Sequence, residues 1–398
     1  MNNYPTYKLG EICELLNGYA FKSSNYVPKG LRVIRITNVK KGYVIDEEPQ
    51  FYPIETQEEL KKYILKKDDL LISLTGNVGR VGVLGEELLP AALNQRVGCL
   101  RVKDSNIVLL QYLYHLLNTN SFEKDCINSS RGIAQKNMST EWLKECEIKL
   151  PPLPTQHQIV SRIETLFAEL DKAEERLRTA QQQLKTYKQA VLNHWLNNEE
   201  GKWKTVKLGE VAEIKRGRSK HRPRNDQSLF GGKYPFIQTG EIREANGGTI
   251  TTFSQTYSEK GLEQSRLWPK GTLCLTIAAN IAETAYLGFD ACFPDSVVGI
   301  LAQEDKLNLE YFNFFIQLIK QEIENKASAT AQKNINVEFL ENLGISLPPL
   351  SEQQRIVNEI ESRLSQASTS SACIEEALQQ TEALRQSILK KAFSGELV

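Results

Sequence analysis

The sequence predicts a mixed α/β protein built as a tandem repeat, with two similar globular modules and two long helices that pair with each other. Three observations predict it. An unbroken heptad pattern runs through residues 151–196, just short of mid-chain. A second such pattern closes the chain from Pro348, and its opening residues repeat the first at a constant offset of 197. Short β-rich runs broken by Gly and Asn fill the space before each helix and recur from one half to the other.

The elements follow in chain order. Residues 1–150 form the first module, with β-rich runs at 31–36, 70–74 and 97–102 and helical stretches near 107–118 and 139–145. The double proline Pro151-Pro152 ends that module, because proline cannot sit inside the helix that follows. Residues 151–198 are the first long helix. Its apolar residues Ile159, Ile163, Leu166, Leu170, Ala173, Leu177, Ala180, Leu184, Tyr187 and Val191 alternate in steps of four and three, the seam of a helix lying along another helix. About forty residues at 1.5 Å each make a rod roughly 60 Å long, more than a core of this size needs. A short polar linker, 199–204, opens the second module, 199–347.

That module repeats the first. Lys8-Leu9-Gly10-Glu11-Ile12 returns as Lys207-Leu208-Gly209-Glu210-Val211, Asn77 falls opposite Asn280, and Val97-Gly98 opposite Val298-Gly299. Ala134-Gln135-Lys136-Asn137 returns as Ala331-Gln332-Lys333-Asn334. A helix is expected over 309–326. Residues 348–398 are the second long helix, with Ile356, Ile360, Ala367, Ile374, Ala377, Leu384 and Ile388 in its seam. Arg363, Ser370 and Thr381 interrupt that seam, so a bend or loosening is expected there. Two helices with matching heptads in one chain most simply pair with each other.

Bulk composition narrows the class. The 398 residues are 40% hydrophobic and 25% charged, ordinary for a globular protein of two or three domains. Lys+Arg and Asp+Glu balance at 49 each, so any polyanion partner must be held by local patches. No apolar run approaches ~20 residues, which disfavours a membrane span, and the polar start disfavours a signal peptide. Seven cysteines without CxxC spacing fit a reduced, cytoplasmic protein.

The arrangement of module, "LPPL-x-x-Q-x-x-I-V" helix, second module and second such helix resembles the specificity subunit of type I restriction-modification systems. The Gln-Lys-Asn approach to each helix and the closing "ILKKAFSGEL" (388–397) extend the likeness over the whole chain. The resemblance implies that the modules are target recognition domains, each reading one half of a split, asymmetric double-stranded DNA site. It implies an antiparallel coiled coil that spaces them, giving a pseudo-twofold repeat. Its implied partners are two methyltransferase subunits and the restriction/motor subunits. Those partners use S-adenosylmethionine, ATP and Mg2+; this chain would bind no cofactor and catalyse nothing.

Under that resemblance the residues able to touch DNA are cations for phosphates and forked polar groups for base edges. The densest set is Lys215, Arg216, Arg218, Lys220, Arg222 and Arg224, uninterrupted by any acid, with Gly217 and Pro223 marking a loop. It reads as a DNA-facing loop or as a solvated one. In the first module a thinner set, Arg32, Arg35, Lys40 and Lys41, surrounds Asn38. Arg35 falls opposite Gln238 and Asn38 opposite Glu241; readers of different half-sites would differ in this way, and so would neutrally diverged copies. Asn77 and Asn280 suit adenine or a turn, and Arg80 lies in reach of phosphate. Gln135 and Lys136, with Gln332 and Lys333, recur in both modules and point to a shared backbone or capping task.

Other chemistries fit less well. Asp295, Glu304 and Lys306 mimic a metal-dependent nuclease set, but the first module has Asn94 opposite Asp295 and no acidic set. Leu150-Pro151-Pro152-Leu153 lacks the polar side chain with which an amino-methyltransferase loop holds its target amine. His115, His157, His194 and His221 show no metal-ligand spacing. The alternatives are a specificity subunit of another multisubunit or fused-type restriction-methylation enzyme, and a coiled-coil scaffold that does not bind DNA.

Overall fold

The computed structural model describes residues 4–132, 136–197, 201–221, 223, 225–278, 280–328 and 334–397. They divide into two compact units, Met1–Arg178 with Glu375–Val398, and Thr179–Ile374. Each unit therefore holds one module and half of each long helix.

The first unit runs β1 (Thr6–Lys8), α1 (Leu9–Ile12), β2 (Cys13–Asn17), β3 (Leu31–Ile34), β4 (Phe51–Tyr52), β5 (Leu70–Ser73), β6 (Val81–Val83), β7 (Ala91–Leu93) and β8 (Val97–Val102). It continues with α2 (Leu110–Leu117), α3 (Asn120–Ser129), α4 (Thr140–Glu145), β9 (Glu147–Lys149) and the long α5 (Leu153–Leu196). The central sheet has order β2-β8-β5-β6, all antiparallel. A smaller sheet, β4-β3-β7, stands beside it, and β1 pairs with β9 to tie the module's two ends together. The helix expected over 107–118 is α2, and Thr119 then starts a further helix not expected from the sequence, capping α3 by accepting from the Phe122 amide at 3.3 Å.

The second unit repeats this plan with β10 (Lys204–Lys207), β11 (Ala212–Arg216), β12 (Phe230–Phe236), α6 (Thr239–Ala245), β13 (Thr249–Ile250), β14 (Gln255–Tyr257), α7 (Glu259–Glu263) and β15 (Leu273–Thr276). There follow β16 (Thr284–Leu287), β17 (Val297–Ala302), α8 (Leu309–Ser328), α9 (Val337–Glu341), β18 (Gly344–Leu347) and the closing α10 (Leu350–Ser394). Its main sheet is β11-β17-β15-β16-β13, and β10 pairs with β18 as β1 does with β9. Register corrects one alignment. Gly98 stands opposite Asn17 and Ile72, whereas Gly299 stands opposite Lys215 and Cys274. Gly98 is thus the counterpart of Val298, one residue earlier than sequence matching places it, and a one-residue slip would turn every side chain to the other face.

A buried glutamine fastens each long helix to its module. Gln156 is fully buried; its side-chain amide donates to the Ile107 and Pro151 carbonyls, and its Oε1 accepts from the Leu109 amide, all at 2.9 Å. Gln353 does the same to Lys306 and Pro348 and accepts from Asn308, at 2.8–2.9 Å. The glutamine of the repeated Pro-Pro-Leu motif is a structural clamp.

The helices run antiparallel. In the first unit Arg385 lies over Phe167, 5.2 Å from its ring centre, and ion-pairs with Asp171 and Glu174. In the second, Arg355 and Arg363 lie over Trp195. Ile163, Ile360 and Ala367 are buried, and Leu170, Leu177, Leu184 and Ile374 half-buried, as the heptads require. Ile159, Val191 and Ile356 are buried too, with Leu166 and Ile388 half-buried.

In the second row of each seam Ala180 and Ala377 are half-buried as expected, but residues one position later also turn inward. Phe167, Glu174, Gln181 and Lys188 face inward on α5, and Leu364, Ser371, Leu378, Arg385 and Ala392 on α10. Leu384 is 51% exposed, Tyr187 41% exposed, and Ala173 is exposed as well. Arg363 and Ser370 stand outside the seam, and Thr381 sits in it, buried, its hydroxyl donating to the Ala377 carbonyl at 2.9 Å. The shifted row holds Glu174, Gln181, Lys188 and Arg385, polar residues that a search for apolar positions passes over.

Candidate nucleic-acid interface

The clearest surface lies in the second module where β11 ends. Gly217 donates its amide to Val297 at 2.8 Å, and a Cβ there would meet the Pro294 carbonyl oxygen at 2.4 Å, so only glycine fits. Past it, Arg218 and Lys220 are exposed and have no ion-pair partner among the described residues. Lys215 and Arg216 are also exposed, but Lys215 pairs with Glu213 at 2.6 Å and the Arg216 guanidinium donates to the Asp295 carbonyl. Arg222 and Arg224 lie outside the described residues.

The chain here is held by its module. The Ser265 hydroxyl donates to the Arg218 carbonyl at 3.0 Å, and the His221 amide to Gln264 at 3.1 Å. Asp226 receives the Ser228 hydroxyl and amide and meets His221 at 2.8 Å; these bonds hold its carboxyl well below the usual range. Beside it opens a groove of about 650 Å³ whose lining includes Asn225, Gln227, Gln238 and Gln255, with Phe236 and Tyr257 at its floor. The Gln238 amide donates to Gln255 Oε1 at 3.0 Å. Burial raises the Glu241 carboxyl, but hydrogen bonds from Ser254 and from backbone amides, including that of Gln238, outweigh it and hold the group low.

In the first module several candidates have internal tasks. Asn38 is buried, accepts from the Arg35 amide at 2.9 Å and donates to the Ile45 carbonyl at 2.8 Å. Its counterpart Glu241 accepts from the Gln238 amide in the same way, so this matched pair is a shared turn closure. Arg32 is committed to Asp46, to the Leu88 carbonyl and to the face of Phe51. Arg35 donates to the Glu48 carbonyl at 2.8 Å, and its Nε is buried without a partner among the described residues. Lys41 is bound by Asn120 and Glu123, both at 2.8 Å, and Lys40 lies 3.9 Å from Glu47.

Asn77 and Asn280 sit in equivalent hairpins, their carbonyls accepting from Ser73 and Thr276. The next amides, of Arg80 and Glu283, return to those hydroxyls at 3.0 Å. Asn77 is exposed, and Arg80 and Asn280 are half-buried. The Lys136 carbonyl accepts from Gly76 at 2.9 Å, and Met138 bonds to Leu74 as Ile335 bonds to Ile277. The structure thus brings together the two motifs that both modules share; Gln135, Gln332 and Lys333 lie outside the described residues.

Among the described residues, no group of three or more His, Cys, Asp or Glu could hold a metal ion. Lys306 donates to Gln303 at 2.7 Å and its carbonyl accepts from Gln353. His115 is buried between Tyr114 and Phe167, and burial lowers its pKa to about 4. No helix among the described residues is long and apolar enough to cross a membrane.

Two modules of one plan, each clamped to an antiparallel helix pair and each offering a differently furnished loop, define a duplicated recognition protein. The family model for the type I restriction modification DNA specificity domain matches residues 1–180 and again 200–379, and the chain belongs to that family. It is 24% identical to the StySPI specificity subunit of Salmonella potsdam, over 99% of this chain and 89% of that one. It is 23% identical to the EcoKI specificity subunit of Escherichia coli K12, over 97% and 87%. In fold it resembles a chain solved in work on assembly and conformational transition of the type I R-M system, with a TM-score of 0.78, 19% identity and 100% of both chains covered. The HsdS subunit from Thermoanaerobacter tengcongensis matches with a TM-score of 0.55 and 19% identity, over 100% and 98%.

Proposed function

We propose that the chain is the DNA-sequence-specificity subunit of a type I restriction-modification enzyme. Each module reads one half of a bipartite, asymmetric duplex site. The helix pair spaces the readers and docks two methyltransferase subunits, and restriction/motor subunits complete the assembly. The chain is itself non-catalytic and binds no cofactor; S-adenosylmethionine, ATP and Mg2+ belong to its partners in the cytoplasm. The observation that carries this reading is the family match falling separately on both halves of a duplicated chain. The exposed Arg218 and Lys220 beside an amide-lined groove supply the chemistry that duplex recognition needs.

Reconstitution with its methyltransferase, followed by sequencing of methylated sites, tests the proposal. One asymmetric motif in two parts separated by a fixed spacer is expected. Methylation or cleavage by the chain alone would contradict a non-catalytic role, and the same salt-dependent duplex binding by the methyltransferase with and without this chain would favour a scaffold.

A further inference from the structure

The strand pairing aligns the two modules residue by residue at one place where their chemistry diverges completely. Asn17 stands opposite Gly98 in the first module and Arg216 opposite Val298 in the second, so Gly18 and Gly217 are equivalent. Both are pressed against backbone. A Cβ on Gly18 would meet the Asn94 carbonyl oxygen at 2.1 Å, and one on Gly217 that of Pro294 at 2.4 Å. The side chains that follow are therefore launched from the same point of the fold. Tyr19 is the counterpart of Arg218, and Phe21 of Lys220.

In the first module this chain is an aromatic and polar segment. Tyr19 packs edge-on to Phe21 at 5.1 Å and against Tyr63 at 5.3 Å, and Phe21 packs on Tyr52 at 4.8 Å. The Tyr52 hydroxyl takes the Lys22 amide at 3.2 Å. Tyr19 remains 39% exposed, and Lys22, Ser23, Ser24 and Asn25 are exposed beside it. In the second module the same launch point carries Arg218 and Lys220, the backbone being held on either side of Lys220 by Ser265 at the Arg218 carbonyl and by Gln264 at the His221 amide. The set around Asn38 and Glu241, by contrast, does the same closing task in both modules and so carries no difference between them.

We infer that the segments leaving Gly18 and Gly217 determine which half-site each module reads, through Tyr19 and the exposed Asn25 in the first and Arg218 and Lys220 in the second. This rests on the chain being a bipartite DNA reader. A guanidinium suits guanine O6 and N7, whereas an amide suits adenine and an aromatic ring the thymine methyl. The two halves of the site are accordingly expected to differ in base composition, with guanine in the half assigned to the second module.

The test uses the full chain in complex with its methyltransferase, comparing methylated motifs for wild type, Arg218→Ala, Lys220→Ala, Tyr19→Ala and Asn25→Ala. Tyr19→Phe keeps the ring packing and guards against a folding defect in Tyr19→Ala. Arg218→Ala and Lys220→Ala are expected to relax preference about 10- to 100-fold at positions in one half only. Tyr19→Ala and Asn25→Ala should affect the other half only, with the spacer unchanged. A uniform loss of methylation at all sites with base preference intact would make these residues phosphate contacts and overturn the inference, as would unchanged motifs in all variants. If the wild-type complex yields no bipartite motif, it is the proposed function that fails.

Discussion

Replacing Gln156 by Leu should cost about 3–5 kcal/mol, because its three hydrogen bonds lie in a fully buried place. Leucine has similar volume, so the change is chiefly one of polarity. Each bond contributes roughly 1 kcal/mol net, but the substitution also leaves the Leu109 amide and the Ile107 and Pro151 carbonyls unpaired, at about 1–3 kcal/mol for a buried group. The amide has no second option, and the carbonyls tolerate the change better; added burial of an apolar side chain offsets about 1 kcal/mol. The total is a large part of the ~5–15 kcal/mol that typically holds a domain. Urea unfolding followed by tryptophan fluorescence measures it: Trp142 reports the first unit, and Trp195, Trp203 and Trp268 the second. Gln353→Leu should destabilise the second unit by a similar amount. A destabilisation below about 1 kcal/mol in both would refute the clamp.

Arg385 fills a seam position at 19% side-chain exposure, so Arg385→Ala should destabilise by about 1–2 kcal/mol, with Arg385→Lys recovering part; chemical unfolding reads both. His115, buried and neutral, has its pKa lowered to about 4, so the unfolded state takes up a proton first as pH falls. Its contribution is complete above about pH 6.5 and disappears towards pH 4, at most about 3 kcal/mol, and His115→Phe should flatten that part of the stability profile. The double variant Arg218→Ala/Lys220→Ala should weaken binding to the preferred duplex site while leaving the salt slope of binding by the complex close to that of the wild type, because the slope counts neutralised phosphates and base contacts carry discrimination. A slope shallower by roughly one unit for each residue would make them phosphate contacts instead.

The duplication and the helix pair were legible because both are written in periodicity: apolar steps of four and three, and motifs returning at near-constant offset. What escaped depended on partners in space. Gln156 and Gln353 look like exposed polar residues of a helix start until Leu109 and Asn308 are seen donating to them. The second seam row escaped because Glu174 and Arg385 satisfy one another across the helices. Asn38 looked like a base reader because an amide that closes a turn and one that reads adenine are the same group. Tyr19 escaped because a search for cations and amides passes over an aromatic ring, although the offset that matches Lys8 with Lys207 already sets it opposite Arg218, as the β2–β8 and β11–β17 registers do.

The most direct test of two interchangeable readers on an antiparallel pair is the methylated motif produced by residues 1–198 with the methyltransferase. Leu192 is the counterpart of Leu389, which packs into the first module's core, so a second copy's α5 can supply what α10 supplies in the full chain. Antiparallel pairing would set Glu174 against Lys188 of the other copy, the counterpart of Arg385, and relate the copies by a twofold axis. The account predicts a dimeric fragment that methylates an inverted repeat of one half-site. A monomeric fragment, or one that methylates the asymmetric site of the full chain, would contradict it.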